Sequence, residues 1–390
     1  MHVDSAERLP VKIWAEDFEE GALAQAHNLA NLPFVFKHVA IMSDGHLGFG
    51  MPIGGVLATT NVVVPSAVGY DIGCGVRAWA TSVQVEEVLP VRDSIMQQVR
   101  SAIPVGFSWH QKPQDDAGLF YDVVGNASFP IISANHDKAL LQLGTMGQNN
   151  HFVELQKDEN DMVWAMVHSG SRNLGKQVAD HYNKVAVQLN AKWHSAVPKA
   201  WELAFLPLDS EEGQLYMAEM LLCLAFAKLN RQRMMEAVKK AFDHELGARE
   251  LLTEDIDIHH NYAQLENHFG KNVVVHRKGA VKAIGTVLIP GSMGSHSYIA
   301  EGLENPDSFK SCSHGAGRAM GRKAAIRDLP DASQAEEMRE RDIKLYGGGR
   351  GNEWVAESKL SYKDIDSVMA NQADLVQPIT KLTPLAVLKA

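Results

Sequence analysis

The stretch Met162-Val163-Trp164-Ala165-Met166-Val167-His168-Ser169-Gly170-Ser171-Arg172-Asn173-Leu174-Gly175-Lys176 changes character at its middle. Its apolar first part predicts a strand over 162–167. The glycine and serines that follow break that strand, and the spacing beyond them predicts a helix over 173–193. His168 is thereby delivered by a strand into a loop that opens a helix, where unpaired N–H groups and the positive dipole end attract anions. The same residues satisfy most of a phosphate-loop pattern, with Gly170, Gly175 and Lys176 correctly spaced. Gln177 stands where that pattern needs the magnesium-binding Ser or Thr, so a nucleotidase of that type is a minor alternative.

Working outward, strands are expected over 36–42, 55–64, 76–83 and 162–167, and a polar loop at Ser43-Asp44-Gly45-His46. Residues 15–31 predict an amphipathic helix with acids in its first turn, and 211–247 a long helix. Met217, Met220, Leu221, Leu224 and Leu229 lie at helical spacing and read as core packing. Strands recur with helices between them while the helical part gathers in the middle, an α+β (complex α/β) pattern.

The 390 residues are 45% hydrophobic and 22% charged, an ordinary globular composition that excludes wholesale disorder. No apolar run is long enough to predict a membrane-spanning helix, and the first residues do not read as a secretory signal. Three cysteines, Cys74, Cys223 and Cys312, make no disulfide framework and fit a reducing, cytoplasmic setting. The net charge of −10 argues against indiscriminate nucleic-acid binding, which depends on neutralised phosphates. A phosphate-rich ligand needs a local basic or metal-bearing site.

The chemistry concentrates in loops that join a polar group to small residues. In Gly69-Tyr70-Asp71-Ile72-Gly73-Cys74-Gly75, glycines let a carboxylate and a thiolate face one ion; a tight turn around a small buried cysteine is the plain alternative. Gln148-Asn149-Asn150-His151-Phe152-Val153-Glu154 places amides before a histidine, with Glu154 on the same element. His168 follows, then His259-His260-Asn261-Tyr262, His276-Arg277-Lys278-Gly279-Ala280, Pro290-Gly291-Ser292-Met293-Gly294 and His314-Gly315-Ala316-Gly317-Arg318. Any one could be an ordinary turn. Together they point to a metal site beside a phosphate site, since glycine permits close approach of a ligand.

Taken in order, DIGCG (71–75), NHFVE (150–154), HSGSR (168–172), HNY (260–262), HRKGA (276–280), PGSMG (290–294), HGAGR (314–318) and YKDID (362–366) resemble the RtcB-type RNA ligase family over essentially the whole chain. The resemblance implies a single catalytic domain over 1–390, with mixed sheets and a helical segment near 173–247. It implies joining of RNA 2′,3′-cyclic phosphate or 3′-phosphate ends to 5′-hydroxyl ends, using GTP and two Mn²⁺ ions. Carried over by motif, Cys74 would bridge the metals, Asp71 and His151 would hold one, and His168 and His260 the other. His314 would be the histidine that carries GMP. The guanine nucleotide pocket would comprise Asn150, Phe152, Glu154, Asn261, Pro290, Gly291, Ser292, Met293, Ser297, Gly315, Ala316 and Gly317, closed by Tyr362 and Lys389. Glu154 would accept from the N1–H and N2–H donors of guanine, and Arg172, Lys278 and Arg318 would contact phosphates. The implied partners are broken RNAs and an archease-like activator, acting on a monomer. The competing classes are a dinuclear metallophosphoesterase that does not ligate and a non-catalytic RNA-end or nucleotide binder. The presence of His314 and Lys389 favours the ligase.

Overall fold

The computed structural model describes residues 1–122, 129–247, 252–329, 331–347 and 355–390. Its larger sheet runs in the order Leu252–His259, Gly75–Gln84, Met162–Ser169, Phe152–Lys157, Val376–Lys389, Ser297–Leu303, Ile284–Ile289, each antiparallel to its neighbour. The two end strands of that order approach each other, so the sheet curls almost into a barrel. Strand alternation decides what fills it. Val76, Met166, Ile256, Leu288, Ile299 and Leu382 pack together on one face. Val153, Leu155, Ala165 and Val167 pack on the other, beneath helices Arg92–Ala102 and Glu211–Leu246.

A second sheet has the order His2–Asp4, Val11–Ile13, Val35–Phe49, Met51–Thr59, Lys271–Lys278, Asn261–His268. Helix Glu20–Ala30 covers part of it through Ala26, Leu29 and Ala30. Helices Pro130–Gln142, Arg172–Lys192 and Glu211–Leu246 form a third packing unit around Tyr182, Tyr216, Phe226 and Phe120. This is the mixed α+β architecture with a helical middle that the pattern led us to expect. Among the described residues, no helix is long and apolar enough to cross a membrane.

Three local expectations change. Ser43 to His46 do not form a loop: they lie inside the strand Val35–Phe49, whose pairing to Met51–Thr59 shifts register between Ile41 and His46. Asp44 and His46 are tolerated in a buried strand because they find partners there, Asp44 with His314 and His46 with the Asp44 carbonyl (2.9 Å). The expected strand over 55–64 is two pieces, Met51–Thr59 and Val62–Val63, with Asn61 between them at a φ of 54° that a strand does not allow. In the Met/Leu stripe of the long helix, Met220 is buried while Leu221 is 56% exposed. The buried face also takes Glu219, Asn230 and Arg231, which hydrophobic spacing alone would assign to solvent.

Candidate metal centre and nucleotide pocket

Each metal-ligand candidate sits where a strand of the barrel ends. Gly75 and Ser169 are paired neighbours at the ends of their strands, so the turn Asp71–Cys74 and the loop after His168 open on the same rim. His260 follows the strand Leu252–His259; its N–H donates to the Cys74 carbonyl (2.9 Å), and the Gly73 N–H donates to the Asn261 carbonyl (2.9 Å). The loop carrying His151 arrives over the top. Gly147 there has a φ of 87°, and a Cβ on it would strike the Arg172 guanidinium. A Cβ on Gly170 would likewise strike the Asp71 carboxylate, so small residues at both places let the ligand groups converge.

They do converge. Cys74 Sγ lies 3.3 Å from His151 Nε2 and 3.3 Å from His168 Nε2, and His151 Nε2 lies 3.0 Å from Asp71 Oδ2. Two overlapping clusters result: Asp71, Cys74 and His151, and Cys74, His168 and His260, with Cys74 common to both. His151 Nδ1 lies 2.9 Å from the Met146 carbonyl and 3.1 Å from an Arg172 guanidinium nitrogen, so the ring is held with Nε2 facing Cys74 and Asp71. Burial holds His168 and His260 well below the ordinary imidazole pKa, so both are neutral, the form in which imidazole can bind a metal. The Nδ1 of His260 is buried without a hydrogen-bond partner. Burial, together with the nearby Asp71 carboxylate, pushes the Cys74 thiol well up. A thiolate there needs a cation, which a divalent metal supplies. Thiolate, carboxylate and imidazole form a donor set suited to Zn²⁺, Mn²⁺, Fe²⁺ or Co²⁺.

Two buried polar residues of the long helix brace these loops. The Asn230 amide donates to the Thr145 carbonyl (3.1 Å) and Ser169 Oγ (3.0 Å), and its oxygen accepts from the Gly144 N–H (2.7 Å). The Arg231 guanidinium donates to the carbonyls of Gly73 and Ser169 (3.0 Å each) and pairs with Asp257 at 2.5 Å, with the Arg231 side chain fully buried. Arg231→Met should therefore strand the Asp257 charge and lower stability by about 3–5 kcal/mol. The denaturant midpoint measures this, and Arg231→Met/Asp257→Leu should recover part of the loss; a single variant as stable as wild type would contradict the bracing.

Next to the metal cluster lies a pocket whose wall includes His168 itself. Of the expected nucleotide residues it gathers Asn150, Phe152, Glu154, Pro290, Gly291, Ser292, Met293, Gly315, Ala316, Gly317, Tyr362 and Lys389, with His314 and Arg318. Asn261 and Ser297 do not line it. Asn261 accepts from the Gly279 N–H (2.8 Å), and Ser297 Oγ accepts from the Gly291 N–H (3.1 Å), so both brace neighbouring loops. Arg172 stands over the His151 loop, donating to Thr145 Oγ1 (3.3 Å). Lys278 is turned away and buried, its ammonium donating to the carbonyls of Phe49 (2.6 Å), Met51 (3.1 Å) and Ser66 (3.1 Å). Burial pulls its pKa down to about 7.

Sequence reasoning missed several groups at the same site. Asp44 is fully buried, and its Oδ2 accepts from the His314 Nδ1–H (2.6 Å) and the His314 backbone N–H (3.1 Å). That pairing holds Nδ1 and leaves Nε2 turned away from Asp44, and the His314 ring packs edge-on against His260 at 4.8 Å between centroids. Glu357 binds Arg318 (3.2 Å), Arg322 (3.1 Å), Lys389 (3.3 Å) and the Tyr362 hydroxyl (2.5 Å). Burial would raise its pKa, but Lys389, Arg322, Tyr362 and Arg318 outweigh burial and hold it near 2. The resemblance runs through Asp44-Gly45-His46-Leu47-Gly48, but nothing in that stretch or around Glu357 reveals the pairing of Asp44 with His314 or of Glu357 with Arg318 and Lys389, which lie far away in sequence.

Two clusters of ligand-type side chains that share Cys74, able to hold divalent ions, thus lie beside a pocket lined by Arg318, Arg322 and Lys389. A family model described as tRNA-splicing ligase RtcB matches residues 25–390, and the chain belongs to that family. It is 35% identical to the RNA-splicing ligase RtcB of Escherichia coli (strain K12), an alignment covering 99% of this chain and 98% of that one. It is 32% identical to the tRNA-splicing ligase RtcB of Thermococcus kodakarensis, over 99% and 96% of the two chains. Against the RNA-splicing ligase RtcB of Mycobacterium tuberculosis the identity is 31%, over 94% of this chain and 100% of the other.

Proposed function

We propose that the protein is a GTP- and Mn²⁺-dependent RNA ligase that joins 2′,3′-cyclic phosphate or 3′-phosphate RNA ends to 5′-hydroxyl ends, with residues 1–390 acting as one catalytic unit. The observation that carries this reading is the position of His314. It lies between the pocket and the metal cluster, with Nδ1 held by Asp44 and its ring against His260. A dinuclear metallophosphoesterase, which attacks phosphorus with metal-activated water, needs no such nucleophile.

His314 Nε2 attacks the α-phosphorus of GTP, forming an N–P bond as pyrophosphate leaves. Asp44 keeps the proton on Nδ1 and stabilises the positive charge that develops on the ring, as the carboxylate of a catalytic triad does. Arg318 offers charge to the phosphate being attacked. A cyclic phosphate end is first opened by water, which breaks the 2′-O–P bond and leaves a 2′-hydroxyl and a 3′-phosphate. An oxygen of the RNA 3′-phosphate then takes GMP from His314, and the 5′-hydroxyl attacks that 3′-phosphorus, expelling GMP. When bound, two Mn²⁺ ions held through Cys74 would supply Lewis-acid stabilisation of phosphoryl charge. Asp71, Cys74, His151, His168 and His260 serve to hold them.

Glu154 selects guanine. Burial pushes its carboxyl up to about 8, so in the empty pocket it is mostly protonated at neutral pH. Only the ionised form accepts from both N1–H and N2–H, so guanine binding lowers the carboxyl pKa and expels a proton. GTP affinity should thus rise with pH, by up to about tenfold per unit between pH 6 and 8, and level off above. Calorimetric titration of wild type and Glu154→Gln tests it: the variant should bind more weakly and lose the slope. Equal binding of ATP and GTP by the wild type would contradict the assignment, because a site built around a donor rejects a ligand lacking it.

The reading as a whole is tested with an RNA pair bearing one 3′-phosphate and one 5′-hydroxyl. Joined product that requires both GTP and Mn²⁺ supports it. Release of inorganic phosphate without joining would instead support the metallophosphoesterase.

A further inference from the structure

The stretch that follows helix Arg92–Ala102 holds Phe107 and Trp109 out in solvent, at 87% and 42% exposure, and Tyr121 farther along toward helix Pro130–Gln142 is 87% exposed as well. Single exposed apolar residues are common, but two large exposed rings two residues apart on a hydrogen-bonded turn offer a surface for a flat ligand. The backbone beneath them is tied down. The Met146 N–H donates to the Pro104 carbonyl (3.0 Å), the Gly106 N–H to the Gly147 carbonyl (2.8 Å) and the His110 N–H to the Leu141 carbonyl (2.9 Å). Gly106 adopts a φ of 67°, and the Ser108 N–H closes a turn onto the Val105 carbonyl (3.2 Å) with Phe107 at its tip. The aromatic segment is therefore strapped to Met146 and Gly147, on the loop that ends in the metal-ligand candidate His151.

A cleft beside it, lined by His110, Gln114, Arg233 and Lys240, runs to Gly144 on that same loop. The cleft also contains Asp115 and Glu236, the latter 3.0 Å from Arg233, so its charge is mixed. With a chain net charge of −10, phosphate attraction alone would hold a nucleic-acid strand poorly here. Stacking of bases on aromatic faces needs no net positive charge and contributes about 1–3 kcal/mol per base.

We propose that Phe107 and Trp109 form a stacking shelf for unpaired bases of the RNA strand whose end reaches the metal centre. This rests on the ligase reading above. The shelf recognises single-stranded RNA near its broken end by base faces, with little regard to sequence.

The test compares a single-stranded ribo-oligonucleotide ending in a 3′-phosphate with an abasic strand of equal length and charge, both binding the full-length protein with its metals. Wild type should prefer the base-bearing strand by about tenfold or more. Phe107→Ala/Trp109→Ala should bind both strands nearly equally, while Trp109→Phe, which keeps an aromatic face, should retain most of the preference. All variants should form as much covalent GMP adduct as wild type, because neither residue lines the nucleotide pocket. A wild type indifferent to bases, or a double variant that keeps the preference, would overturn the shelf. Failure of the ligase reading would show separately, as a wild type that forms no adduct and joins no RNA.

Discussion

Replacing Cys74 by alanine should empty both metal positions together. Its sulfur lies 3.3 Å from Nε2 of both His151 and His168, and it belongs to both ligand clusters. One change thus removes a ligand, and its negative charge, from each position at once, leaving Asp71 with His151 and His168 with His260. His260→Ala should weaken mainly the second position. Elemental analysis after dialysis against metal-free buffer separates the cases: Cys74→Ala near zero, His260→Ala with metal partly retained. Two ions still bound to folded Cys74→Ala would remove the bridging role. Ligation by Cys74→Ala should fall to background whatever form of RNA is supplied.

His314→Ala should fail differently. It deletes the proposed nucleophile but none of the five candidate ligands, so it should fold, hold metal and form no covalent GMP adduct. Loss of a nucleophile typically removes several orders of magnitude in rate. Supplied with RNA whose 3′-phosphate already carries GMP, the variant should still join it, since the remaining step needs positioning and metal but no new nucleophile on the protein. Asp44→Asn should fall between. The amide leaves the ring in place but no longer favours the Nδ1–H tautomer or the cationic ring, so adduct formation should slow by about 10²- to 10⁴-fold. The joining of pre-activated RNA should remain near normal in that variant as well. A His314→Ala protein that still accepts label from GTP would mean another residue is the nucleophile.

The fold was legible where local pattern and burial agree. The helices expected over 173–193 and 211–247 are Arg172–Lys192 and Glu211–Leu246, and the strand over 76–83 is Gly75–Gln84. It was illegible where polar residues are buried for a reason outside their own segment. Ser43 to His46 read as a loop because nothing nearby in sequence reveals that Asp44 will face His314, 270 residues away. Arg231 sits on a helix face that periodicity gives to solvent, and its partners Gly73, Ser169 and Asp257 are scattered along the chain. Among the site residues, the motifs located the ligand candidates and most of the pocket wall. They did not distinguish Asn261 and Ser297, which brace loops behind the pocket, from residues that line it. Nor did they reveal that the Lys278 ammonium is occupied by three backbone carbonyls. Short motifs record which residue types keep company, whereas direction depends on how distant strands bring them together.

The most direct measurement is the site of guanylylation. Wild-type protein would be incubated with labelled GTP and Mn²⁺, denatured, digested under mildly alkaline conditions that preserve phosphoramidates, and mapped by mass spectrometry. GMP should be found on the peptide containing His314 and bonded to that ring, with no adduct when ATP replaces GTP. A GMP adduct on any other residue, or none on protein that has bound both metal and GTP, would contradict the mechanism.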